Sequence, residues 1–154
     1  MESFDLVAMG GTFDVIHSGH MALLKKSFSI SSKVIIGLSS DQLAVKSGKS
    51  LINDYSKRFS LLESAIEKNF PNSSYEISKL ENDFGPAVVE GSVKALVVSE
   101  ETSAKGLDLN ELRAETNLPP VEIVVVPMVL AKDGKAISST RIKNSEIDNS
   151  GNLN

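Results

Sequence analysis

The densest run of chemically capable residues lies near the start of the chain: Gly10-Gly11-Thr12-Phe13-Asp14-Val15-Ile16-His17-Ser18-Gly19-His20. The chain has two histidines, and both fall within four residues of this run. Spaced by three at the start of a helix, they place both rings on one side. The adjacent glycines let backbone approach a ligand closely. The run follows an apolar stretch and opens a helical pattern, whose free N–H groups and dipole favour an anion. Gly19 leaves room for a nucleotide to lie against the backbone. A turn with two incidental histidines is the plain alternative, and the clustering argues against it. A zinc site needs three or four ligands. With no cysteine and two histidines, carboxylates would have to complete it.

A second run, Ile137-Ser138-Ser139-Thr140-Arg141-Ile142-Lys143, sets three hydroxyls in a row at an expected helix start. Such a start offers side-chain and backbone donors to phosphate oxygens, with Arg141 and Lys143 adding charge. Alone it reads equally as a Ser/Thr cap with solvated cations; beside the histidine run the phosphate reading gains weight. Other candidates have plain alternatives of their own. Ser39, Ser40 and Asp41 read as a capped turn, and Lys46 and Lys49 as a solvated loop. Arg58 reads as a surface charge on a helix whose other face is core. Ser99 to Thr102 reads as plain loop, and Asn110 with Arg113 as ordinary surface.

The elements that must position these residues follow from the hydrophobic pattern. Phe4 to Met9, Val34 to Leu38, Tyr75 to Leu80, Ala95 to Val98 and Val121 to Val126 read as strands. Four of them are near-continuous apolar runs, as in strands of a parallel sheet buried on both faces. Between them fall helical patterns. Met21, Leu24 and Phe28 share one face; Phe59, Leu62, Ile66 and Phe70 share another, with Asn53 or Asp54 as N-cap. A short helix is expected within Phe84 to Glu90. Another, capped by Asp108, carries Leu109 and Leu112 and ends before Pro119 and Pro120. This alternation predicts an α/β fold, a doubly wound five-stranded parallel sheet over residues 1–143. Residues 144–154 read as a polar, disordered tail. In such sheets ligands bind beyond the carboxyl ends of the strands, where both runs fall.

The chain has 154 residues, 41% hydrophobic and 23% charged, with no cysteine, which excludes disulfides and Cys-ligated metals. A net charge of −4 argues against sequence-independent binding to nucleic acid, which needs a basic surface. No apolar run approaches the roughly 20 residues that span a bilayer. The first residues lack the basic and apolar regions of a signal peptide, so a cytoplasmic address is expected.

The stretch Gly11-Thr12-Phe13-Asp14 with His17-Ser18-Gly19-His20 resembles the first signature of the HxGH nucleotidyltransferases, and Ile137 to Arg141 resembles their second. Lys143 stands where many relatives carry Arg, keeping the charge but losing the bidentate fork. The resemblance sharpens toward archaeal-type phosphopantetheine adenylyltransferases, which are similar to the adenylyltransferase domain of eukaryotic CoA synthase. It rests on Gly37-Leu38-Ser39-Ser40-Asp41, Tyr55 with Arg58, Asp83-Phe84-Gly85-Pro86, Val97 to Thr102, and Asn110 with Arg113. Together these span residues 4–143.

That resemblance implies a Rossmann-like fold and transfer of AMP from ATP to 4'-phosphopantetheine, with Mg²⁺ accompanying ATP. It implies His17, His20, Thr12 and Arg141 as the catalytic set. ATP would meet Gly10, Gly11, Phe13, Asp14, Gly19, Ser99, Glu100, Thr102, Ser138, Ser139 and Thr140. Within that group, Ser99 to Thr102 would border the adenosine, and Ser138 to Arg141 would grip the β- and γ-phosphates. The acceptor would meet Thr12, Ser39, Lys46, Lys49 and Arg58. Flavin mononucleotide adenylyltransferases share the first signature and are the nearest rivals. Glycerol-phosphate cytidylyltransferases usually carry an Arg-Thr-Glu-Gly-like lead, where this chain has Asp133-Gly134-Lys135-Ala136. Class I aminoacyl-tRNA synthetases fit neither the length nor the acidity. A regulatory module that binds ATP without turnover is the rival of another class, and the intact histidines argue against it. The partners expected are ATP and 4'-phosphopantetheine, with no nucleic acid and no membrane. The sequence leaves the oligomeric state open, with a monomer as default.

Overall fold

Phe4–Gly11, with Leu6, Val7, Ala8 and Met9 in sequence, forms the central strand β1. It belongs to a computed structural model that describes residues 4–82, 84–85, 92–100 and 102–153, with the backbone alone described at Ser139 and Thr140. Most of the helix expected within Phe84 to Glu90, together with Asp83, Pro86 and Glu101, lies outside the described residues.

Four more strands follow: β2 (Ser31–Ser39), β3 (Tyr75–Leu80), β4 (Ala95–Ser99) and β5 (Glu122–Val126). They pair in the order β3-β2-β1-β4-β5, every pair parallel, as expected for a doubly wound sheet. The central strands are buried on both faces and the edges β3 and β5 are less so, which is why the central runs are the most continuously apolar. The chain leaves the sheet at the β3 edge and re-enters beside β1 as β4. The order therefore reverses between β1 and β4, where ligand crevices form in such folds.

Pleating divides the core. Val7 and Met9 of β1 join Val34, Ile36 and Leu38 of β2 on one face. They lie beneath Leu24 of α1 (Ser18–Ile30) and Leu62 and Ile66 of α3 (Tyr55–Asn69). Ala8 and Ile35 join Leu96, Val98 and Val121 on the other, against Leu109 of α4 (Ala104–Glu115). Of the two caps considered for α3, Asp54 is the one used: its Oδ1 accepts the Lys57 N–H at 2.9 Å.

Three expectations need correction. Asp108 does not cap α4, which begins four residues earlier behind Ser103. Its first turn holds Gly106 tight against Ile123, a contact that leaves no periodic apolar signal. The Ser39-Ser40-Asp41 turn opens a real helix, α2 (Asp41–Lys46), with Ser40 as N-cap to the Leu43 N–H at 3.0 Å. Six residues are too short to show a period. Finally, residues 144–153 are not a disordered tail. They follow α5 (Ser139–Lys143) as a turn closed by a bridge between Ile147 and Leu153. Ile147 is 1% exposed and packs on Ala131 and Ile137. One buried isoleucine anchors a segment that, apart from the exposed Leu153, is polar or glycine.

Candidate active site

His17 is the N-cap of α1 and His20 is its third helical residue. The Gly19 N–H donates to His17 Nδ1 at 3.0 Å, and the His17 N–H donates to His20 Nδ1 at 3.2 Å. A nitrogen that accepts a hydrogen bond carries no proton, so each neutral ring bears its proton on Nε2. The rings stack, centroids 3.9 Å apart, and His20 lies 4.7 Å from the ring of Phe13. Phe13 is buried at a left-handed φ of 52°, costly for an aromatic residue, and its packed ring offsets the strain. The space that Gly19 leaves is used by the chain itself: a Cβ there would lie 2.8 Å from His17 Cε1. The helix start is also less open to an anion than its sequence implies. The Ser18 N–H goes to the Asn149 carbonyl at 3.1 Å and the Gly19 N–H to His17. The histidine side chains remain as donors.

Burial keeps both rings neutral. It pushes the His17 pKa down to about 4. It pushes His20 down to about 3, with the charges of His17 and Lys49 adding to the effect.

A strap over residues 47–53 joins α2 to α3 across the mouth of this site. Asp14 holds it: its carboxylate accepts the Ile52 and Asn53 N–H groups, each at 2.9 Å, and pairs with Lys143 Nζ at 2.5 Å. Burial raises the Asp14 carboxyl, but Lys143 and the two amides outweigh it and leave the pKa below the ordinary range. Lys143 also donates to the Ser50 carbonyl at 2.6 Å. Asp14, 3% exposed, therefore organises the site as well as contributing to its lining.

Arg58 corrects another expectation. It is fully buried and does not face the pocket. Its guanidinium donates to the carbonyls of Thr12 (2.9 Å), Ser39 (2.8 Å) and Asn53 (3.2 Å) and pairs with Asp41 at 2.7 Å. It ties the β1 loop, the end of β2 and the strap together. Arg113 and Asn110 are internal as well. Arg113 donates to the Pro119 carbonyl at 2.7 Å, and Asn110 exchanges two hydrogen bonds with the Val121 backbone.

The pocket has a volume of about 760 Å³ and lies at the carboxyl ends of β1, β2, β4 and β5. Among the expected residues, Gly10, Gly11, Thr12, Phe13, Asp14, His17, Gly19, His20, Ser39, Lys49, Ser99, Thr102 and Ser138 line it. Ser99 and Thr102 brace one another, their hydroxyls 3.1 Å apart. Lys46 and Glu100 are not in the lining; Glu100 accepts the Met128 N–H at 2.8 Å. Arg141 is turned away to Asp133 and to Glu146 (3.1 Å), so it does not face a triphosphate here. Lys143, set aside in the sequence because it replaces an arginine, is the cation of that run that reaches the pocket. Lys105 lines it too and was missed, since one lysine at a helix start carries no pattern. The side chains of Ser139 and Thr140 lie outside the described residues.

Two histidine donors, hydroxyls and lysines thus converge beyond the strand ends at the switch point. Residues 8–145 match the cytidylyltransferase-like family model. The chain belongs to that family. Among cytidylyltransferase-like relatives, the phosphopantetheine adenylyltransferase of Methanosarcina acetivorans is 43% identical over 149 residues, covering 96% of this chain and 94% of the relative. That of Pyrococcus horikoshii is 41% identical over 154 residues, covering 99% and 96%. A solved structure of a protein of unknown function from Archaeoglobus fulgidus matches with a TM-score of 0.72 at 26% identity, covering 80% of this chain and 89% of that one.

Proposed function

We propose that this chain transfers AMP from ATP to 4'-phosphopantetheine, releasing pyrophosphate and giving dephospho-CoA. The reading is carried by the stacked pair His17 and His20. Both Nδ1 atoms are committed to backbone N–H groups, so each ring offers an Nε2–H donor in a pocket lined by three lysines. The names of the near-full-length relatives supply the substrates.

A phosphate oxygen of the acceptor attacks the α-phosphorus of ATP in line. The new P–O bond forms as the bond to the β-phosphate oxygen breaks and pyrophosphate leaves. The acceptor arrives ionised, so no general base is required. Catalysis then rests on positioning and on donors aimed at the charge that develops. Histidines held neutral at pH 7 keep Nδ1 as an acceptor for the backbone N–H and leave the Nε2–H free to donate. Lys49, within the strap and felt electrostatically at His20, suits the acceptor phosphate. Lys143 and Ser138 suit the β- and γ-phosphates, and Thr12, also in the lining, suits the α-phosphate and the acceptor phosphate. Mg²⁺ would neutralise charge on the triphosphate. Asp14 is the sole acidic side chain in the described lining, and its oxygens are already engaged. The ion would therefore be carried by phosphate oxygens and water, as is common for Mg²⁺.

The test is pyrophosphate release with 4'-phosphopantetheine, pantetheine, flavin mononucleotide and nicotinamide mononucleotide, each offered with ATP and with CTP. We expect turnover with 4'-phosphopantetheine and ATP, and none with pantetheine. His20→Ala should lower kcat by about 10²–10³, the loss typical of one transition-state donor. Preference for another acceptor would overturn the substrate assignment, and an unchanged kcat in His20→Ala would overturn the mechanism.

A further inference from the structure

The turn Ile147–Leu153 reaches both signature runs at once. On one side the Asn149 carbonyl accepts the Ser18 N–H at 3.1 Å and the Ser18 hydroxyl at 3.3 Å. Ser18 is the residue between His17 and Gly19, so this contact holds the backbone from which the His17 ring is hung. On the other side, Ile147 packs on Ile137, the first residue of the hydroxyl run. Gly151 sits at a φ of 86°, where a Cβ would lie 2.8 Å from Ile137 Cδ1 and 2.9 Å from Ala131 Cα. The Gly151 carbonyl accepts the Lys132 N–H at 2.9 Å.

The turn keeps its shape through one side chain. Asp148 Oδ1 accepts the N–H groups of Ser150 and Asn152, each at 2.9 Å, and Oδ2 accepts from Asn152 Nδ2 at 2.8 Å. Asn149 lies inside that loop, so the direction of its carbonyl depends on the Asp148 bonds.

We propose that this turn is a positioning element for the histidine pair: Asp148 shapes the turn, the turn aims the Asn149 carbonyl, and that carbonyl fixes Ser18 and with it the His17–His20 stack. No side chain of the turn lines the pocket. Asp148 acts at a distance, and because the contact to Ser18 is made by backbone, no residue type at position 149 would reveal it.

The kinetic arm of the test rests on the adenylyl-transfer reading; the spectroscopic arm does not. Three proteins are compared, the parent, Asp148→Ala and Asp148→Asn, well below their unfolding temperatures. Asn retains the Oδ1 acceptor for Ser150 and Asn152; Ala does not. In the free protein, the ¹⁵N resonances of the parent rings should show Nε2–H tautomers. In Asp148→Ala they should shift and broaden, and the Ser18 amide should exchange with solvent at least tenfold faster. Asp148→Asn should resemble the parent in both. With substrates, Asp148→Ala should lose at least tenfold in kcat with KM for ATP and acceptor within threefold, since misplacement of about 1 Å can cost on the order of 10² in rate. Asp148→Asn should restore it. Unchanged ring resonances in Asp148→Ala would overturn the proposal whatever the kinetics. So would a kcat that stays parental, or one that falls equally in both variants. Absence of turnover in the parent would overturn the assigned reaction and leave the ring measurement to decide this proposal.

Discussion

Two cations two positions apart behave oppositely. Arg141 is spent on Asp133 and Glu146, which raise its already high pKa. Lys143 faces the pocket, held by Asp14 and the Ser50 carbonyl, which a triphosphate could displace. We expect Lys143→Met to weaken ATP binding at least tenfold, a charge-assisted hydrogen bond being worth about 1.5–3 kcal/mol. Arg141→Ala should leave ATP affinity within threefold, because its guanidinium is engaged by Asp133 and Glu146 and is not part of the pocket lining. Calorimetric titration with ATP compares the two directly; the reverse ranking would return the phosphate role to Arg141. The resemblance singled out Arg141 as the catalytic cation, and residue types alone could not correct that choice. Both are basic and both follow the hydroxyls, and only the winding of a five-residue helix sends one inward.

At the level of elements, strands and long helices were legible because burial on a sheet demands long apolar runs and an i, i+3, i+4 stripe. What was hidden is what does not depend on such patterns. Helix α2 is too short to show a period, and Asp14 holds the strap through backbone N–H groups that leave no trace in residue types. Arg58 read as a surface charge because charged residues are seldom fully buried. Here three carbonyls and Asp41 make burial tolerable. Its planar fork reaches three elements at once, which an ammonium group cannot do. Arg58→Lys keeps the charge opposite Asp41 but should loosen strap 47–53. We expect faster amide exchange at Ile52 and Asn53 and a rise of fivefold or more in KM for the acceptor, with KM for ATP little changed. Parental values for both would show that charge alone suffices.

Across the whole molecule, a chain of net charge −4 gathers Lys49, Lys105 and Lys143 around one pocket that holds a single acidic side chain among its described residues. The local field can thus oppose the global one and draw in a polyanion. The same pocket ties global stability to pH. His17 and His20 titrate near 4 and 3 when folded and near 6.5 when unfolded, so below 6.5 the unfolded chain binds more protons. Their contribution is complete above pH 6.5 and is lost as pH falls toward 4 and then 3. The slope is up to about 1.4 kcal/mol per pH unit for each ring, less for the more open His17. Urea melts between pH 7 and pH 4.5 should show this loss, and a His17→Gln/His20→Gln double variant should flatten it. An equal slope in both proteins would mean that the rings are not held neutral. The docked turn also bears on how the protein is made. Residues 137–153 follow every strand in the chain, yet Lys143 and the Asn149 carbonyl are needed to finish the site. A polypeptide leaving the ribosome can pair its entire sheet while the pocket still lacks one wall. On the proposed reading, nucleotide binding would then come after sheet pairing, and a nascent chain that has not yet delivered residues 137–153 would hold no finished site.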